Sequence, residues 1–155
     1  IVFGDWSSDV CSSDLYDDCA AEVRAYLLAA AERAASAGIA RDRIILDPGV
    51  GFGKRLEDNL ALISRLDELA LEGYPVLVGL SRKAFVGAIT GRDAAGRLAG
   101  SLAAACAALQ RGAAIFRVHD VAETVDALKV YAACALVGRG LDRLPGQEKG
   151  AKQVP

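Results

Sequence analysis

Three short apolar runs, each leading into a polar motif and then a helical pattern, constrain this chain more than any other feature. The first, Arg43 to Leu46, stops at Asp47-Pro48-Gly49-Val50-Gly51-Phe52-Gly53-Lys54. The second, Pro75 to Leu80, runs into Gly79-Leu80-Ser81-Arg82-Lys83, and the third begins near Ala114 and ends in Arg117-Val118-His119-Asp120. Short branched runs bounded by turn residues read as strands, and strands alternating with helices imply a parallel sheet with right-handed crossovers. In such folds ligands bind at the carboxyl ends of the strands. Asp, Ser, Arg, Lys and His are therefore expected along one edge of a parallel sheet.

The helical segments follow from spacing and end signals. Cys19 to Ala37 places Val23, Tyr26, Leu27 and Ala30 on one face, with acids leading and Gly38 ending the run. Asp58 to Leu71 carries a broad stripe of Leu60, Leu62, Ile63, Leu66, Leu69 and Leu71, stopped by Gly73. Ala84 to Ile89 is a small apolar patch. Arg97 to Arg111 is an alanine-rich helix closed by Gly112, and Ala122 to Leu136 is the last, with Val125, Leu128, Ala132 and Ala135 on one face. The order is a helix, then strand and helix three times. Three strands cannot close a barrel, and 155 residues fall short of the roughly 200 that a full one needs. The pattern allows an open three-layer sheet or a slice of a (β/α)8 barrel.

A composition of 53% hydrophobic and 25% charged residues is that of a globular chain with a sizeable core. A net charge of −2 supplies no basic face, so nucleic acid is not an expected partner. No apolar run approaches the ~20 residues that span a bilayer, so no membrane is expected either. Cys11, Cys19, Cys106 and Cys134 lack metal or pairing spacing and read as small buried hydrophobes in a reduced cytoplasm. No basic region precedes an apolar run at the N-terminus, so no signal peptide is expected.

Residues Asp5 to Leu15 have neither helical nor strand period. They resemble the translation of a common sequencing-library adapter; the alternative is a polar leader rich in Ser and Asp. The expected division is thus a non-native, disordered leader over 1–15, a folded body over 16–140 and a flexible tail over 141–155. On the adapter reading, natural sequence ahead of Tyr16 is missing.

Each polar motif has a functional and a plain structural reading. Asp47 suits the N–H groups of a ligand, or an Asx bond to its own turn. Gly49, Gly51 and Gly53 suit a phosphate cradle, or merely let the loop turn; neither the P-loop nor the dinucleotide pattern fits. Arg82 and Lys83 suit an anion or polar heterocycle, or form a solvated basic turn. Ser81 has no base beside it in sequence, which argues against a nucleophile. Arg117 and His119, two apart on one strand, share a face and suit a phosphate.

Taken together, Asp47 to Lys54, Asn59, Gly79 to Lys83, Arg97 with Gly100-Ser101, and Arg117 to Val121 resemble dihydropteroate synthase. Order and spacing match from about Tyr16 to the last helix. The resemblance implies the C-terminal part of a pterin-binding (β/α)8 barrel: the last three βα units and the helix before them. It implies a transferase of folate biosynthesis that joins 6-hydroxymethyl-7,8-dihydropterin diphosphate to p-aminobenzoate. By resemblance, Asp47 accepts hydrogen bonds from the pterin and Lys83 bonds it beside p-aminobenzoate. Ser81 holds the aminobenzoate carboxylate, Phe52 walls that pocket, and Arg117 and His119 bind the diphosphate.

The resemblance also implies Mg2+, whose ligand lies in the family's N-terminal half, and a homodimer through the C-terminal helices. That half also supplies pterin-gripping residues and two closing loops. This chain alone is accordingly expected to be inactive and prone to aggregate. Two other readings stand beside it. A folate-dependent methyltransferase domain shares the fold, although methyl transfer needs neither a diphosphate nor a carboxylate site. A non-catalytic α/β assembly module could associate through the alanine-rich helix.

Overall fold

The computed structural model describes residues 16–137. The leader, with Cys11, and the tail from 138 onward lie outside the described residues, and so do the expectations for them. Helix α1 spans Cys19–Ser36. Asp18 caps it by accepting from the Ala21 N–H at 3.1 Å, and Glu22 in the first turn accepts from the Asp17 and Asp18 N–H groups. Its inward face is Cys19, Ala20, Val23, Leu27, Ala30 and Ala31. Tyr26, expected on that face, is 45% exposed.

Three extended segments lie side by side in sequence order. Leu46 pairs in parallel with Val76, its N–H donating to Pro75 O at 3.0 Å while Leu77 N–H returns to Leu46 O at 2.8 Å. Strand β1, Leu77–Val78, pairs in parallel with β2, Ile115–Phe116. The expected strands are thus present as a parallel set, but each is paired over fewer residues than the apolar runs suggest. Arg41–Arg43 forms a 3-10 turn, which takes Arg43 out of the first strand. Among the described residues Leu46 pairs on one side only.

The core sits against this small sheet. Ile44, Leu46, Val76 and Val78 are at most 1% exposed and join Val23, Leu27, Leu62, Leu66 and Leu69 in one apolar cluster. Those last three residues come from α2, Leu56–Ser64, and α3, Leu66–Ala70. One helix was expected here; it breaks at Arg65 (φ −116°, ψ 21°), whose guanidinium bonds Glu68 at 2.6 Å and Asp18 at 2.7 Å. The break keeps Leu62, Leu66 and Leu69 buried and turns Leu60 (41%) and Leu71 (86%) out to solvent, against the broad stripe expected.

The apolar patch after β1 is a helix in its own right, α4, Ala84–Thr90, ended by Gly91 in the left-handed region at φ 69°. A 3-10 turn, Ala95–Arg97, leads into α5, Leu98–Gln110. The last helix, α6, spans Val121–Val137 and packs on α5. Among its residues with described side chains Thr124 is the buried one, and Val125, expected to face inward, is 42% exposed. The cysteines divide as well: Cys19 is buried, but Cys134 is exposed, contrary to a uniform core role, and the described cysteines are free thiols. No helix among the described residues is long and apolar enough to cross a membrane. The architecture is α/β, rich in helix, around a small parallel sheet.

Candidate functional site

The register of β1 on β2 builds the site. Leu77 faces Ile115 and Val78 faces Phe116, so continuing one residue sets Gly79 beside Arg117, and two more sets Ser81 beside His119. The contacts agree. A Cβ added at Gly79 would come within 2.6 Å of the Arg117 guanidinium, which lies against that glycine. Ser81 Oγ lies 3.1 Å from His119 Nδ1 and accepts from the His119 backbone N–H at 3.3 Å. Arg117 and His119 therefore share a face as expected, although paired strand stops at Phe116.

The glycine loop forms the facing wall. Asp47 Oδ1 accepts from the Gly49 N–H at 2.9 Å, so the Asx turn foreseen as the plain reading is present. Buried Asn59 accepts from the Gly51 N–H at 2.5 Å and donates to the Lys54 and Arg55 carbonyls at 3.2 and 2.7 Å. Lys54 Nζ donates to the Gly49 and Phe52 carbonyls, at 3.1 Å each. The loop is closed by its own side chains, with Gly51 at φ 84°. Sequence reasoning gave Lys54 and Asn59 no role of their own. The signal that could have found Asn59 is a polar residue on the inward face of the first helical turn.

Lys83 bridges the two walls. Its ammonium donates to Val50 O and stands 4.1 Å from the centroid of the Phe52 ring. Phe52 is itself 53% exposed, so it forms a rim rather than an enclosed wall. Burial, helped by the Arg117 charge and opposed by Asp47, lowers the Lys83 amine to about 8. Burial also lowers Lys54. Asp47, Lys54, Lys83 and Arg117 thus share one electrostatic neighbourhood, with more positive charge than negative.

Not every predicted cation faces this space. Arg82 bonds Asp120 through Nε at 3.1 Å and Nη2 at 2.5 Å, which raises the guanidinium and lowers the carboxyl. Ser81, expected to lack a base, has the His119 ring beside it through the fold. Asp120 is committed to Arg82, so among the described residues that neighbouring carboxylate does not orient the imidazole as a nucleophilic triad requires. No group of three or more His, Cys, Asp or Glu side chains among the described residues could hold a metal ion, so the Mg2+ implied by resemblance finds no ligand set there.

The family model described as "Pterin binding enzyme" matches residues 7–119, which takes in the glycine loop, the Ser81 to Lys83 turn, Arg117 and His119. The chain belongs to the pterin-binding enzyme family. Dihydropteroate synthase of Neisseria meningitidis serogroup C is 53% identical over 123 residues, covering 78% of this chain and 44% of the relative. A relative from Mycobacterium bovis, 45% identical over 104 residues, covering 67% of this chain and 33% of its own length, bears the name inactive dihydropteroate synthase 2. Among solved structures, Xanthomonas albilineans dihydropteroate synthase with 4-aminobenzoic acid superposes with a TM-score of 0.77 at 49% identity, over 80% of this chain and 46% of that one. The same enzyme in complex with 7,8-dihydropteroate superposes at the same TM-score and identity, over 79% of this chain and 47% of that one. The chain spans less than half the length of these relatives.

Proposed function

We propose that this pterin-binding chain carries the aminobenzoate and diphosphate side of a dihydropteroate synthase, as the last three βα units of a (β/α)8 barrel and the helix before them. The observation that supports it most is the meeting of Ser81 with His119, and of Gly79 with Arg117, at the carboxyl end of one parallel pair. On this reading Arg117 and His119 hold the diphosphate, where a guanidinium and an imidazole suit phosphate oxygens. Ser81 donates to the aminobenzoate carboxylate, with Phe52 along the rim. Asp47, with Oδ1 on its own turn, accepts from the pterin through its other oxygen, and Lys83 bonds the pterin close by.

The reaction proposed is loss of pyrophosphate from the pterin methylene carbon, with the C–O pair leaving on the phosphate. The aminobenzoate nitrogen then forms the new C–N bond and releases its proton. The residues named above serve by placing the reactants and stabilising the departing anion. Groups that act as a unit lose most of their effect piecemeal, so this chain by itself is proposed to bind without turnover. A relative that bears the name inactive dihydropteroate synthase 2 is in keeping with that reading.

Further parts of the reading rest on the resemblance. Mg2+ is proposed as a partner of the complete enzyme, held by residues outside this chain. Copies are proposed to pair through the C-terminal helices, which fits the exposed Val121, Val125 and Val130 of α6. The proposed setting is the cytoplasm.

Calorimetry of p-aminobenzoate in the presence of pyrophosphate tests the site, with expected heats that vanish in Arg117→Ala. A condensation assay with both substrates tests the rest, with no product expected. No saturable binding would overturn the site assignment, and turnover at about 1 per second or faster, the ordinary range for enzymes, would overturn the proposed inactivity.

A further inference from the structure

The Arg97 to Ser101 stretch has no part in the site as described, yet its polar groups end on the turn that carries Ser81 and Lys83. Arg82, between those two residues, is the one non-glycine among the described residues with a positive φ, 57°. An L-residue there is strained and persists only where its surroundings over-determine it. Here they do. The Arg82 N–H donates to Ser101 Oγ at 2.9 Å, and Arg97 Nη1 donates to the Arg82 carbonyl at 3.0 Å. Asp120 holds the guanidinium.

The clamp is itself fixed. Ser101, 5% exposed, donates to the Arg97 carbonyl at 2.7 Å, and Arg97 Nε donates to Arg92 O at 3.0 Å. Two glycines clear its path. A Cβ at Gly87 would overlap the Arg97 guanidinium, and one at Gly100 would lie 2.5 Å from Val86 Cγ1. Backbone and side chain of Arg82 are thus taken by three side chains from two separate places along the chain, the Arg97 to Ser101 stretch and Asp120. The turn has Ser81 on His119 to one side and Lys83 on Val50 to the other.

We propose that Arg97, Ser101 and Asp120 are positioning residues that lock Arg82 in its left-handed conformation and thereby aim the Ser81 hydroxyl and the Lys83 amine into the anion-binding space. The ligand class, an anion with phosphate or carboxylate oxygens, rests on the function proposed above; the clamp does not. Removing a clamp group releases Lys83 from its half-buried place toward water. Neither Ser101 nor Asp120 is among the groups acting on the Lys83 charge, which are Arg117, Asp47 and Lys54, so substituting them reaches that amine only through its position.

The test uses the 155-residue chain with Ser101→Ala and, separately, Asp120→Asn. Reductive methylation at a series of pH values, quantified on the peptide containing Lys83, reads its titration. Circular dichroism checks folding, and calorimetry reads pyrophosphate affinity. Half-maximal labelling near pH 8 is expected for the unaltered chain, moving up toward the ordinary 10.5 in each variant, with pyrophosphate affinity lower by about tenfold, as loss of one positioning hydrogen bond implies. A general loss of stability would lower the melting temperature without moving that profile. Should Ser101→Ala fail to fold, Asp120→Asn decides alone, since its carboxylate lies nearer the surface. An unchanged Lys83 profile in a folded variant overturns the clamp. A shifted profile in a chain that does not bind pyrophosphate leaves the clamp standing and removes the anion reading.

Discussion

Ser81 Oγ and His119 Nδ1 stand 3.1 Å apart across the ends of β1 and β2, and the His119 backbone N–H points at the same oxygen from 3.3 Å. The hydroxyl is therefore supplied with a donor from the backbone, which leaves its own proton for the imidazole or for a ligand oxygen. Ser81→Ala removes that proton while leaving Arg117 in place. Hydrogen bonds to charged groups contribute about 1.5–3 kcal/mol, so p-aminobenzoate affinity is expected to fall by about 10- to 100-fold. Calorimetry with pyrophosphate present checks it. Unchanged affinity would remove Ser81 from the carboxylate site.

Gly79 leaves the space that the Arg117 guanidinium occupies. An alanine methyl there would lie 2.6 Å from Nη2 and 3.1 Å from Cζ, and the flexible arginine rather than the strand would yield. Gly79→Ala is expected to keep the fold, with a melting temperature within a few degrees of the parent, while pyrophosphate binding is lost. Retained binding would mean that Arg117 reaches the anion by another path.

The catalogue of residues at the sheet edge was legible in the sequence because strand ends there are marked by abrupt changes from apolar to polar. Asp47, Ser81, Lys83, Arg117 and His119 follow from three such ends. Which partner each takes was not legible. The tie of Arg82 to Asp120 and of Ser81 to His119 spans 38 positions in both cases, and only the register of β1 on β2 brings them together. Helix α4 was missed because Gly87 and Thr90 weaken its local pattern; packing of Phe85 and Val86 into the core decides it. The break at Arg65 was missed for the converse reason. Helical spacing runs straight through it, and the departure comes from bonds to Asp18 and Glu68, one of them far away in sequence.

Asn59 ties the glycine loop to α2 with a buried amide, 4% exposed, that satisfies one N–H and two carbonyls. Asn59→Leu leaves those groups without their partner in a place poor in water. The cost expected is about 1–3 kcal/mol, read as a lower urea midpoint. Because Val50 and Phe52 ride on the same loop, the Lys83 contacts to them should loosen as well. A variant as stable as the parent would show that water replaces the amide without cost.

Lys83 makes the stability of the fold depend on pH in a window set by its neighbours. Its folded amine lies near 8 against the ordinary 10.5, so between those values the unfolded chain holds the proton more often than the folded one. Stability then rises with pH across that interval, since the neutral amine is the form that burial favours. Cys19 acts in the opposite sense: burial lifts its thiol from 9.0 to about 11, so stability falls as pH climbs through that range. The Lys83 effect is therefore clearest between about pH 8 and 9, below the Cys19 window. Urea midpoints at closely spaced pH values should rise there in the parent chain and rise clearly less in Lys83→Met, which keeps the stem without the charge and leaves Lys54, also lowered by burial, in place. A parallel rise in both would assign the effect to another group and return Lys83 to a solvated position.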